Sequence, residues 1–138
     1  MGVLSTAGKD GTPWGSAVYF FADDDFNIFF VTRADTRTYK NIEENSLVAL
    51  TVADETRQTT VQIAGAISKV PPQDYMDVMF HKLVKIRPSN DESWTPPPNK
   101  IHKGNFMPLQ LTPTKLQFAD FGHFKTDPDA SYVETVIG

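Results

Sequence analysis

Between Phe26 and Val52 the chain reads FNIFFVTRADTRTYKNIEENSLVALTV. No other stretch limits the possible folds so tightly. Ile28, Phe29, Phe30 and Val31 form an apolar run, short and aromatic enough for a strand. Thr32 to Thr38 interrupts it with hydroxyls and cations. A short helical pattern follows, with Tyr39 and Ile42 three apart on one face, and a further strand begins near Leu47. Asp35 or Thr36 is placed to cap the helix, because each has a short side chain whose oxygen accepts a free backbone N–H. The first turn of a helix presents unpaired N–H groups and a partial positive charge. With Thr36, Arg37, Thr38 and Lys40 beside it, that turn reads as a phosphate site. A capped helix with solvated charges accounts for the same residues, and such helices far outnumber phosphate sites.

The rest of the chain continues the strand rhythm. Val3 to Thr6 is a first strand, and Lys9-Asp10-Gly11 a tight turn. Trp14 to Ala22 is a second strand, closed by Asp23-Asp24-Asp25. These three carboxylates lack the oxygen spacing and glycine of a calcium loop, so they read as a solvated turn. Phe26 to Thr32, Ser46 to Ala53 and Thr59 to Val70 are strands three to five. Gly65 interrupts the alternation of the fifth, which signals a bulge or a close backbone approach. Five strands at hairpin spacing with one short helix predict an antiparallel barrel.

Beyond Pro71-Pro72, the spacing of Tyr75, Met76, Met79, Phe80, Leu83 and Ile86 predicts an amphipathic helix over 73–87. Ser89 to Lys103 is a proline-rich loop containing Trp94, long enough to act as a lid or to reach a partner subunit. Phe106 to Thr112 and Thr114 to Asp120 read as two closing strands divided by Pro113. Residues 121–138 show no pattern and read as a loose tail or a dimer arm.

Composition removes several function classes. The 138 residues are one domain's worth, 1–138, with 40% hydrophobic and 22% charged residues. There is no cysteine, which excludes disulfides, thiolate catalysis and cysteine metal sites and fits a cytoplasmic protein. Net charge is -4 with no basic block, so neither nucleic acid nor an anionic membrane is an expected partner. No apolar run is long enough to span a bilayer. His81, His102 and His123 are scattered, so no metal site and no catalytic triad is expected.

In order and spacing, several segments resemble the pyridoxamine 5'-phosphate oxidase-like FMN-binding split barrels, above all their general-stress branch. They are Leu4-Ser5-Thr6 with Asp10-Gly11-Thr12-Pro13, Phe30-Val31-Thr32 with Thr36-Arg37-Thr38 and Asn41-Ile42, and Val61-Gln62-Ile63-Ala64-Gly65. Leu109-Gln110-Leu111-Thr112-Pro113 with Asp120 resembles the closing strands. The resemblance implies a mainly β fold with short helices, a six-stranded antiparallel split β-barrel. It implies a homodimer with FMN between the subunits.

The same resemblance implies roles for particular residues. Ser16, Ala17, Val18 and Tyr19 run along the flavin ring. Val31 and Thr32 lie beside it. Thr36, Arg37 and Thr38 grip the phosphate, and Thr60 and Gln62 complete the site. Arg37 is the leading phosphate ligand, because a guanidinium fork matches phosphate oxygens. Thr38 stands where the phosphate motif usually has lysine, and Ser16 where the oxidases themselves have arginine, so oxidation of pyridoxamine phosphate is not expected. Lys40 is two residues on and faces another direction, which leaves its part open.

Two kinds of function follow. One is a flavin-dependent oxidoreductase with a small-molecule substrate or electron donor and no catalytic side chain, the ring doing the chemistry. The other is a flavin-binding module without turnover, for storage, sensing or stress, or a haem or deazaflavin binder on the same barrel. For haem, His123 is the candidate ligand. Trp14 and Trp94 read equally as stacking partners of a flavin or as core or interface residues.

Overall fold

The computed structural model describes residues 1–71, 105–122, 127, 129 and 131–138. The expected helix over 73–87, the loop over 89–103 and all three histidines lie outside the described residues. The elements are β1 (Gly2–Ala7), β2 (Pro13–Val18), β3 (Phe20–Ala22), β4 (Ile28–Arg33), α1 (Arg37–Glu44), β5 (Leu47–Asp54), β6 (Thr59–Lys69), β7 (Phe106–Asp120) and β8 (Val133–Ile137).

Period-two alternation drives the sheet. In β1, Gly2, Leu4 and Thr6 are buried while Val3 and Ser5 are exposed. In β5, Val48 and Leu50 are buried between exposed Leu47, Ala49 and Thr51. The inward set, with Phe30, Ile63, Leu109 and Leu111, makes one core. Each fully buried Leu or Phe contributes about 1.5–3 kcal/mol over an exposed one.

The strands are joined antiparallel in the order β2-β1-β5-β6-β7-β4-β3, with β8 added on β7. The two ends of this path are successive pieces of one run, interrupted at Tyr19. Val18 is the last residue paired to β1, opposite Gly2, and Phe20 the first paired to β4, opposite Phe30. The sheet therefore curls until its ends meet on one broken strand, giving a split barrel of mainly β structure.

Three expectations need correction. The second strand is not continuous over Trp14 to Ala22, because it changes partner at Tyr19. The closing run is one strand rather than two. Gly65 faces Pro113 and Ala64 faces Lys115, so Thr114 is an extra residue on β7. This bulge takes in Pro113, which has no N–H for a ladder. It also reverses the alternation, so Leu109 and Leu111 before it and Leu116 after it are all buried. Finally, the segment over 121–138 is not a loose tail throughout. Val133–Ile137 pairs with the second half of β7, the half that β4 leaves free. The six-strand circuit stands, made of β1, β5, β6, β7, β4 and the broken β2–β3 run, with β8 outside it.

Gly65 shows why the bulge needs glycine. A Cβ there would collide with the Thr112 carbonyl oxygen, on backbone that cannot rotate aside.

Candidate functional site

The break at Tyr19 opens a groove. β2 leaves β4 and pairs only with β1, so alternate backbone N–H and C=O groups along β2 face away from the sheet. Across the gap, β4 ends in Val31 and Thr32, and α1 begins. The groove encloses about 310 Å³ and is lined by Ser16, Ala17, Val18, Tyr19, Val31, Thr32, Thr36 and Thr38. That volume is within the usual range of small-molecule sites.

Local chemistry fixes the helix start. Thr36 is the N-cap, in extended conformation, and its Oγ1 accepts from the Tyr39 N–H at 3.2 Å. The same hydroxyl donates to the Arg33 carbonyl at 2.8 Å. Thr32 Oγ1 lies 3.2 Å from Thr36 Oγ1. Asp35, the other cap candidate, instead pairs with Arg33, whose Nε donates to it at 2.9 Å. That guanidinium hydrogen bond holds the Asp35 carboxyl below its ordinary range.

Two polar contacts seat the helix. Ser16 Oγ and Thr38 Oγ1 are 2.6 Å apart, joining β2 to α1. Asn41 Nδ2 donates to Thr6 Oγ1 at 3.1 Å, between residues that are both buried. The buried face of α1 is thus Thr38, Asn41 and Ile42. A search for apolar spacing finds only the last of these. Thr6 and Asn41 both lie within the family-like segments, but nothing in the sequence marks them as partners.

The structure brings eight of the expected residues to this one groove. It places the others elsewhere. Arg37 and Lys40 line a neighbouring depression with Gly8, Lys9, Asp10, Asn41 and Glu44. Arg37 Cζ stands 5.8 Å from the centre of the Trp14 ring, a cation–π contact on a half-exposed indole. The Asp10 carboxyl nearby is held below its ordinary range, first by the Thr12 backbone N–H and to a lesser degree by Arg37. Thr60 and Gln62 sit on β6, separated from β2 by β1 and β5. Gln62 lines a shallow outer surface with Ala49, Thr51, Ala64 and Lys115.

Among the described residues, no group of three or more metal-ligating side chains comes together. No helix among them is long and apolar enough to cross a membrane.

The fold recurs in solved structures. An FMN-binding, pyridoxamine 5'-phosphate oxidase-related protein from Nostoc punctiforme is 15% identical, with a TM-score of 0.63. The match covers 99% of this chain and 87% of that one. General Stress Protein 26 from Bacillus anthracis is 19% identical with a TM-score of 0.63, over 85% of this chain and 81% of that one. An F420 reductase is 26% identical with a TM-score of 0.64, over 83% and 86%. No curated protein matches the chain significantly. The family model described as pyridoxamine 5'-phosphate oxidase matches residues 1–119, so the chain belongs to that family.

Proposed function

We propose that the protein is an FMN-binding flavoprotein acting as an oxidoreductase on a small molecule other than pyridoxamine phosphate. One observation carries the reading. The free edge of β2, the end of β4 and the first turn of α1 converge on a single groove. These parts suit a flavin. Backbone groups of Ser16 to Val18 are donors and acceptors for the polar rim of a planar ring. Val31 and Val18 offer it apolar contact, and Thr32, Thr36 and Thr38 surround its chain. When bound, the flavin supplies hydride or electron transfer. The residues of the groove bind and orient it, and among the described ones there is no carboxylate, lysine, arginine or histidine to act as acid or base.

The groove is open on one side, and a homodimer supplies the second wall. Thr60 and Gln62 then reach the cofactor of the partner rather than their own. The outer face of β1, β5 and β6 suits such packing, since Ser5, Ala49, Thr51 and Ala64 are short and exposed. A cytoplasmic location agrees with the absence of cysteine.

The lack of a charged group among the described residues of the groove also favours the second reading, a flavin-binding module without turnover. One experiment separates the two. The purified protein is mixed with FMN and then with a nicotinamide donor under anaerobic conditions. Bound flavin that the donor bleaches supports the oxidoreductase. Bound flavin that no donor reduces supports the module. A Soret band on haem addition, with no flavin binding, overturns both in favour of a haem binder.

A further inference from the structure

Resting on the flavin reading, we infer that this groove recognises its ligand by the ring and the hydroxylated ribityl chain, with the terminal phosphate adding little. Riboflavin is then nearly as good a ligand as FMN.

The inference comes from following each hydroxyl proton. Thr36 Oγ1 donates its one proton to the Arg33 carbonyl. Thr32 is therefore the donor in the 3.2 Å contact with Thr36, and its proton is committed too. Thr36 also accepts the Tyr39 N–H, so both of its lone pairs are used. Thr32 Oγ1 keeps two lone pairs and no proton. Ser16 and Thr38 share one bond, which leaves one proton for the pair. The Thr38 side of that pair is buried, at 3% exposed.

Among the described side chains of the groove, hydroxyl acceptors are therefore plentiful and donors few. A phosphate dianion is all acceptor, so the threonines do not answer it. Ribityl hydroxyls donate as well as accept, and Thr32 Oγ1 is free to receive one. The cations expected at the phosphate are not here. Arg37 is held over Trp14, and Lys40 faces the same neighbouring depression. The helix start remains, but a helix terminus alone favours an anion only modestly.

Binding of riboflavin, FMN and lumiflavin (the ring without its chain) to the full chain tests this by quenching of flavin fluorescence. The expected FMN-to-riboflavin preference is within about tenfold, the range open to one neutral hydrogen bond and a helix end. Lumiflavin binds more weakly than riboflavin. Thr32→Val lowers the affinity for FMN and riboflavin by the same factor, and by more than it lowers that for lumiflavin. Ser16→Arg, on a half-exposed strand edge, brings in a cation and raises the preference for FMN. A larger FMN preference in the native protein overturns the inference, and its loss in Arg37→Ala would put Arg37 on the phosphate. Lumiflavin binding as tightly as riboflavin overturns it too. Failure of all three flavins to bind overturns the flavin reading itself.

Discussion

Asn41 illustrates how a single side chain holds the site in place. Its Nδ2 bond to Thr6 ties α1 to β1 inside the protein, and one turn earlier the Ser16–Thr38 contact ties α1 to β2. The first turn of the helix faces the groove because these two bonds orient it. Asn41→Ala leaves the Thr6 hydroxyl, 4% exposed, without its partner. The expected loss is about 1–3 kcal/mol, read from the urea midpoint at constant m. The double variant Thr6→Val with Asn41→Leu removes both polar groups together and should recover much of that loss. Thr36 was legible as a cap because capping needs only a short oxygen before a helix. The Asn41–Thr6 pair was not, because its residues are 35 apart and neither breaks a local rule. Arg37 shows the opposite limit. Its charge pointed to phosphate, but side-chain direction depends on Trp14, which only the fold brings alongside.

At the level of elements, the sequence disclosed the strands better than their continuity. Alternation is a local signal, so β1, β4, β5 and β6 were readable within a residue or two of their ends. Changes of partner are not local. Nothing in Trp14 to Ala22 marks Tyr19 as the point where the run passes from β1 to β4. Pro113 argued for a break, and the bulge opposite Gly65 is how one strand survives it. The expectation of a bulge or close approach at Gly65 was met, because a residue without a side chain weakens a strand unless crowding requires it. Gly65→Ala therefore tests the element directly. The added methyl meets the Thr112 carbonyl oxygen, and something in β6 or β7 must shift. The expected destabilisation is about 1–3 kcal/mol or more, seen as a lowered thermal midpoint. Gly15→Ala has only ordinary contact with Val3 and serves as the control.

For the molecule as a whole, the barrel followed from strand count and hairpin spacing together with the family resemblance. Closure through a broken strand did not. Neither did the docking of Val133–Ile137 on β7, since its alternation is weak and its residues are mostly exposed. Assembly is the remaining question at this scale. A groove walled on one side and a face of small exposed residues predict a dimer. Sedimentation equilibrium should give twice the 15.4 kDa chain mass at micromolar concentration. Ala49→Arg, on the exposed side of β5, should shift that equilibrium toward monomer and weaken FMN in parallel, while circular dichroism stays the same. A monomer that binds FMN as well as the native protein would remove the second subunit from the site.

The interruption at Tyr19 has a mechanical consequence. A closed barrel resists opening, because every strand is clamped by hydrogen bonds on both edges. Here the hoop is fastened at one point by covalent chain rather than by a ladder, and across the adjacent seam β2 meets α1 through side chains, in the Ser16–Thr38 contact. Whatever molecule settles into the seam becomes part of the hoop and bridges β2 to β4 where no backbone pairing does. A ligand in that seam is therefore expected to raise the thermal midpoint of the barrel, because it would bind the folded form alone.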